Sequence, residues 1–249
     1  MKRILLSGCN GKMGRNIAAC VRERNDCTIV AGIDISGTVL DAFPVFTSPA
    51  ECSVEADVII DFSHPNALSA LLDYAILHKL PAVIATTGLS SSQIDAIHAA
   101  AEKIPVFFTA NMSLGVNLLA ELAKKAAAVL GDQFDIEIIE KHHNQKIDAP
   151  SGTALMLADA ISSVLLEPPA YVYDRHAVRK KRSKNEIGIH AVRGGTIVGE
   201  HEILFAGHDE TITISHAAAS KGVFATGSIN AAMFLCEKEK GLYHMGDLV

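Results

Sequence analysis

No two cysteines of this chain stand in a CxxC pair. There are five, an odd number: Cys9, Cys20, Cys27, Cys52 and Cys236. A disulfide framework is therefore not indicated. Long apolar runs are missing too, since no stretch approaches the ~20 residues that a transmembrane helix requires. Behind Met1-Lys2-Arg3 the apolar run is only Ile4-Leu5-Leu6, too short for the core of a signal peptide. These absences together point to a reducing cytoplasm and to no membrane partner. An excess of basic charge is also lacking, and the net charge of -6 argues against nucleic acid as a partner. Metal-ligand spacing is absent where it would matter most. The adjacent His142 and His143 fit neither HxH nor HExxH and have no cysteine nearby, so no metal is expected. His176, His190, His201, His208 and His216 are scattered singly and read as mostly solvated or structural. Internal repeats and low-complexity linkers are not found.

What the chain does have, over 249 residues, is enough apolar sequence for one large domain or two modest ones. Arg3 to Ser7 is a short apolar run ending in Gly8-Cys9-Asn10-Gly11-Lys12-Met13-Gly14, after which Met13, Ile17 and Val21 share one face of a helix. Thr28 to Ile33 then reads as a second buried strand, with Asp34 at its carboxyl end. Strand, glycine turn, helix, strand and acid form the dinucleotide-binding βαβ arrangement. Glycines let the backbone approach a pyrophosphate, the helix start offers N–H groups and a positive dipole end, and the acid accepts from ribose hydroxyls. The spacing is GxxGxxG rather than GxGxxG, which leaves a plain structural turn as the competing reading. Asp34 is followed by Ile35 and Ser36 without an arginine for a 2′-phosphate, so NADH is the expected cofactor. Lys12 in the glycine loop keeps NADPH open.

The rhythm continues with strands at 57–63, 81–85 and 105–111 and helices between them. Uninterrupted apolar strands alternating with helices imply a parallel sheet covered on both faces, with ligands beyond the carboxyl ends of its strands. Near residue 113 the pattern changes. A long helix over 114–130 precedes the alternating strand Phe134-Asp135-Ile136-Glu137-Ile138, and a helix from Gly152 ends before Pro168-Pro169. Strands are predicted at 186–193, 196–205 and 210–216, joined by hairpin-like turns at Gly194-Gly195 and Gly207-His208-Asp209. The expected class is therefore α/β: an N-terminal Rossmann-type domain with a parallel sheet, and a smaller α+β domain whose sheet is mixed and mainly antiparallel. Residues 1–112 would form the dinucleotide-binding domain. Residues 113–220 would bind substrate and mediate oligomerisation, and 221–249, with a helix over 221–240, would pack back on the first domain. Too few helices are available to cover both faces of the second sheet, and an apolar face left open predicts a homo-oligomer.

Between the two halves of the second sheet lies Glu140-Lys141-His142-His143-Asn144-Gln145-Lys146-Ile147-Asp148-Ala149-Pro150-Ser151-Gly152-Thr153-Ala154. Ser151, Gly152 and Thr153 place N–H groups and a hydroxyl at a helix start, a ready site for a carboxylate. Lys146 or His143 would meet a second carboxylate, and a remaining imidazole would exchange a proton near neutral pH. The bland alternative is a helix cap behind a polar surface loop. A cysteine nucleophile is disfavoured, since Cys9 lies in the phosphate turn and the other cysteines lack a basic partner in sequence. The run Arg179 to Lys184 reads as a solvated loop or as a guide for an anionic ligand.

The stretch 140–154 resembles the signature of the 4-hydroxy-tetrahydrodipicolinate reductase (dihydrodipicolinate reductase) family. The likeness extends to Gly8-x-x-Gly11-x-Met13-Gly14, Thr86-Thr87-Gly88, Ala110-Asn111-Met112-Ser113, 192–201 and the terminal 241–247. The resemblance implies a nicotinamide-dependent oxidoreductase of the diaminopimelate route to lysine, acting on a small cyclic dicarboxylate and built as a homotetramer. It makes His142 the proton donor or acceptor and Lys146 a proton donor, with His143, Ser151, Gly152 and Thr153 on substrate. The cofactor would be lined by Gly8, Cys9, Asn10, Gly11, Lys12, Met13, Asp34, Ala85, Thr86, Thr87, Ala110, Asn111, Met112 and Ser113. Ala85 stands where the family commonly has Gly, and Ile35 where many members carry a polar residue. Two competing readings are an oxidoreductase of the same plan acting on another small dicarboxylate, and a dinucleotide sensor without turnover.

Overall fold

The computed structural model describes residues 1–109 and 111–248. The chain forms two compact units, one of Met1–Ser113 with the segment from Lys221 onward, the other of Leu114–Ser220.

The first unit begins with β1 (Lys2–Ser7), α1 (Lys12–Arg22), β2 (Cys27–Ile33), β3 (Val45–Phe46) and β4 (Val58–Asp61). It continues with α2 (Leu68–His78), β5 (Ala82–Ile84), α3 (Ser91–Ala101) and β6 (Pro105–Phe108). Successive residues of a strand point to opposite faces, yet Ile4, Leu5 and Leu6 are all fully buried, so β1 must be covered on both sides. The start of α3 is set by a capping box in which Ser90 and Gln93 each serve the other's backbone.

The second unit holds α4 (Leu114–Leu130), β7 (Asp135–His142), α5 (Gly152–Ser162), β8 (Ala170–Val172), β9 (Glu186–Arg193), β10 (Gly199–Ala206) and β11 (Thr211–Ala218). The chain then returns to the first unit with α6 (Gly222–Leu235) and β12 (Gly241–Tyr243).

The first sheet is seven-stranded in the order β12-β6-β5-β4-β1-β2-β3, and every pairing in it is parallel. One face packs against α1 and α6 through Ile17, Val21, Ala225, Ile229 and Leu235. The other packs against α2 and α3 through Leu68, Leu71, Leu72 and Ile97. Strand order reverses beside β1, with β2 on one side and β4 on the other, which opens a crevice at their carboxyl ends.

The second sheet runs β11-β10-β7-β9-β8. It is mixed, with β7 antiparallel to β10 and β10 to β11, but β7 parallel to β9 and β9 to β8. Two of its four pairings are antiparallel and they carry the larger share of the paired residues, so the sheet is mixed and mainly antiparallel. The turn at 207–209 does join a hairpin, β10 to β11. Gly194-Gly195 does not, because β7 lies between β9 and β10. Ile136, Ile138, Ile187, Ile189, Ile203 and Phe205 face α4 and α5. The alternate residues of β7 and β10, among them Asp135, Glu137, Ile139, Lys141, Glu200, Glu202 and Leu204, are partly exposed. Within this unit no described helix covers that second face, but it is charged and apolar by turns rather than a plain apolar surface.

Candidate active site

In the first unit the parallel sheet gathers the predicted cofactor residues at one edge, because every strand ends there. Gly8 follows β1 with φ +76°, and a Cβ on it would fall 2.5 Å from the carbonyl oxygen of Phe62, so the turn admits only glycine. The Cys9 amide and the Gly8 amide both donate to the carbonyl of Ile33, tying the turn to β2. Gly11 is the N-cap of α1 with no side chain claiming the helix amides, while Lys12 stands exposed and Met13 half-buried in the first turn. A helix start left in this state is an anion site. Asp34, just past β2, accepts from the Asn10 amide at 3.2 Å and from the Ser36 amide and hydroxyl at 3.1 and 3.0 Å.

At the next strand end Asp61 is fully buried, and it accepts from the Thr86 hydroxyl at 2.7 Å and the Ser63 amide at 3.2 Å. The Ala85 amide donates to the Asp61 carbonyl, Ala85 and Thr86 are buried, and Thr87 is exposed. After β6, the Asn111 side chain accepts from the Ser113 amide at 2.9 Å, and Met112 and Ser113 are buried. Gly227 of α6 packs so closely on the Met112 carbonyl that no Cβ would fit. Ala110 lies outside the described residues. Burial pushes the Cys9 thiol up to about 11, with the Asp34 charge adding to the effect, so it stays a thiol and is unfit as a nucleophile.

In the second unit the buried face of β7 carries Ile136, Ile138, Glu140 and His142 in alternation. The apolar residues anchor α4 and α5; the two polar ones end up in the interior, at the strand's carboxyl end. Glu140 is 0% exposed and His142 9%. His142 Nδ1 lies 2.6 Å from Glu140 Oε2. Arg193, on neighbouring β9, grips the same carboxylate through both Nη atoms at 2.7 and 2.6 Å, and the Ser151 amide donates to Oε1 at 2.9 Å. Burial pushes the Glu140 carboxyl up, but the hydrogen bonds from Arg193, His142 and the Ser151 amide outweigh it, so the group sits below its usual range. It is a carboxylate at neutral pH.

Ser151 also caps α5, its hydroxyl accepting from the Ala154 amide at 3.2 Å and lying 3.1 Å from His201 Nε2. His201, on β10, is 4% exposed and meets His142 edge to face with ring centroids 5.3 Å apart. Burial, helped by the neighbouring His142, pushes His201 down to about 4, so it is neutral in the cell's pH range. Gly152, exposed, and Thr153, half-buried, form the first turn of α5 after a cis Ala149-Pro150 bond. His143 is half-buried just past β7, and Lys146 pairs with Asp148 at 2.8 Å. One cluster therefore holds His142 and Ser151, with Gly152, Thr153, His143 and Lys146 on the same loop and helix start.

Three features escape the motif. Glu140 and His201 were not assigned roles, although i, i+2 alternation along β7 and β10 already turns both inward with their apolar neighbours. Arg193, a cation in a glycine-rich stretch of the sequence, is spent on Glu140. The basic run is likewise engaged: Arg182 bonds Glu137 at 3.0 Å and Asp135 at 2.9 Å, and Lys180 bonds Glu186 at 3.2 Å. Through Arg182 it straps the outer face of the sheet. Among the described residues no group of three or more His, Cys, Asp or Glu is placed to hold a metal ion, and no helix is long and apolar enough to cross a membrane.

Comparison with known proteins bears on the whole chain. A family model described as "Dihydrodipicolinate reductase, N-terminus" matches residues 2–112, and one described as "Dihydrodipicolinate reductase, C-terminus" matches residues 115–249. The chain is 54% identical over 249 residues to the 4-hydroxy-tetrahydrodipicolinate reductase of Caldanaerobacter subterraneus subsp. tengcongensis, spanning 100% of this chain and 98% of that protein. It is 51% identical over 245 residues to the enzyme of the same name from Clostridium tetani, spanning 98% and 96%. Among solved structures, dipicolinate-bound dihydrodipicolinate reductase from Paenisporosarcina sp. TG-14 superposes with a TM-score of 0.82 at 27% identity, covering 98% of this chain and 97% of that one. Both units are thus accounted for by one lineage, and the chain belongs to the dihydrodipicolinate reductase family.

Proposed function

We propose that this chain reduces 4-hydroxy-tetrahydrodipicolinate to tetrahydrodipicolinate with loss of water, using NAD(P)H, in the diaminopimelate route to lysine. The observation that carries the reading is the meeting of a buried, carboxylate-backed His142 with the capped start of α5. A dicarboxylate needs an anion site and a proton-handling group side by side, and that is the combination present.

The nucleotide site fits its cofactor on the protein's own terms. The Gly8 turn leaves no room for a side chain, and α1 begins without a side chain on its amides. The Asp34 carboxylate, engaged by three donors, keeps acceptor capacity for a ribose hydroxyl. Gly8 to Met13, Asp34, Ala85 to Thr87 and Asn111 to Ser113, with Ala110, would hold the dinucleotide, which supplies a hydride when bound. NADH is the preferred form. Asp34 repels a 2′-phosphate, and the next side chain, Ile35, is 94% exposed and offers it no charge. The ratio of kcat/KM for NADH to that for NADPH should exceed one, and a strong NADPH preference would reverse the assignment.

On the substrate side, the amides of the first α5 turn and the Thr153 hydroxyl hold one carboxylate, oriented by the helix dipole. His143 and the Lys146 ammonium contact the other. His142 and Lys146 handle protons as the ring loses water and the reduced product takes one up. The enzyme is expected to act as a cytoplasmic homotetramer, associating through the helix-free face of the second sheet. The test couples the purified protein to the synthase product and follows loss of absorbance of the reduced cofactor. No oxidation would remove the reading, and cofactor binding without turnover would favour a sensor. His142→Ala and Lys146→Ala should each lower kcat by about 10²-fold or more with a smaller change in KM.

A further inference from the structure

We infer that Glu140 is a positioning residue for His142: gripped by Arg193 and the Ser151 amide, it fixes the imidazole with Nδ1 protonated and leaves Nε2 as the atom that exchanges a proton with substrate. The inference rests on His142 being the proton-handling group.

The hydrogen-bond geometry leaves little choice of tautomer. Glu140 Oε1 accepts from the Ser151 amide at 2.9 Å and Arg193 Nη2 at 2.6 Å; Oε2 accepts from Arg193 Nη1 at 2.7 Å and faces His142 Nδ1 at 2.6 Å. An ionised carboxylate has no proton to give. The contact at 2.6 Å must then be an Nδ1–H donating to it, and a neutral imidazole protonated there carries its lone pair on Nε2. A bidentate guanidinium and a backbone amide hold the carboxylate in place, so the ring inherits its orientation from two separate elements, β9 and the start of α5.

The surroundings of Nε2 support the same assignment. Gly199 opens β10 beside the ring, and a Cβ there would stand only 3.1 Å from Nε2. The missing side chain keeps that atom unobstructed from the strand. The charged and titratable groups around the site are Glu140 on its own strand, Arg193 in register with His142 on β9, His201 on β10 with His216 opposite it on β11, and, in the loop, Lys146, which pairs with Asp148 and whose charge acts on His201. His201 is pinned to the Ser151 hydroxyl at 3.1 Å and buried, so it presents a neutral edge to a ring that must accept positive charge. A fully buried Glu140 that did nothing for His142 would be a costly way to fill space, since an apolar residue packs there without desolvating a charge.

The experiment is long-range ¹⁵N–¹H correlation NMR on the uniformly ¹⁵N-labelled full chain at a pH where His142 is neutral, with the His142→Gln spectrum for assignment. The expected wild-type signature is a protonated Nδ1 and an unprotonated Nε2. An Nε2–H tautomer in the wild-type protein overturns the inference. Glu140→Gln puts an amide N–H₂ where only acceptors fit. It should redistribute the tautomers and lower kcat by on the order of 10²-fold. Glu140→Asp should restore part of each. A Glu140→Gln protein with wild-type tautomer and kcat would equally overturn it. Wild-type kcat in His142→Ala would instead remove the parent reading, whatever the spectrum reports.

Discussion

His201 should make the protein lose stability on mild acidification, and the loss can be sized from its surroundings. The imidazole is 4% exposed, and its position among buried groups pushes it from 6.5 down to about 4. In the unfolded chain it titrates near 6.5. Between about pH 6.5 and 4 the unfolded state therefore binds a proton that the native state refuses, and stability falls with falling pH through that window. Above 6.5 both states are neutral and the group contributes nothing. The gap corresponds to about 3 kcal/mol by pH 4, equivalent to roughly 6–12 °C in Tm for a chain of this size. The perturbation is His201→Gln, which keeps a polar group near the Ser151 hydroxyl but does not titrate. Glu140, Glu137 and Asp148, all held below their usual range, begin to release their stabilisation below about pH 5 and do so in both proteins. Denaturation measured from pH 7 to pH 4 should show the wild type losing about 3 kcal/mol more than the variant. Parallel curves for the two proteins would refute the reasoning.

Two further perturbations test the units separately. Gly8→Ala forces a Cβ against the Phe62 carbonyl in a φ +76° conformation; it should weaken binding of reduced nicotinamide nucleotide by about tenfold or more, read by fluorescence titration. Phe205→Ala removes a fully buried ring from the core between the second sheet, α4 and α5, and should cost about 3–5 kcal/mol in urea unfolding.

Much of the first unit is legible because its physics is local. Ile4-Leu5-Leu6, Val58-Ile59-Ile60 and Ala82-Val83-Ile84 are too uniformly apolar for a sheet with one wet face, and the glycine turn fixes where the first ends. The edges are not legible. Val45–Phe46 and Gly241–Tyr243 are two and three residues long, too short to show any period, and they become strands only because β2 and β6 offer open hydrogen-bonding edges to them. In the second unit, Gly194-Gly195 has the composition of a hairpin turn, yet β7 takes the place beside β10 that β9 would have filled. Turn chemistry reports only on neighbours in sequence, whereas the order of strands in a sheet is decided by which pairings bury the Ile136, Ile187 and Ile203 face together.

The same distinction explains what the motif revealed of the site. A signature read along the chain names His142 and Lys146 but treats Glu140 as a flank, Arg193 as a surface cation and His201 as one more scattered imidazole. Each becomes intelligible only through β-register: Glu140 is opposite His201 on β10, and His142 is opposite Arg193 on β9. The register also separates the adjacent histidines on physical grounds. His142 is the last residue of β7 to face inward, two positions after Glu140, and so receives the carboxylate; His143, one position on, follows the strand's end and stays half-buried in the loop. A pair indistinguishable by composition is thus divided by the two-residue period of the strand before it. That period makes a specific demand: shifting β7 by one residue against β10 would turn Ile136, Ile138, Glu140 and His142 to the outer face together and bring Lys141 inward. The apolar alternation that holds the core is therefore also what buries Glu140 and His142 together.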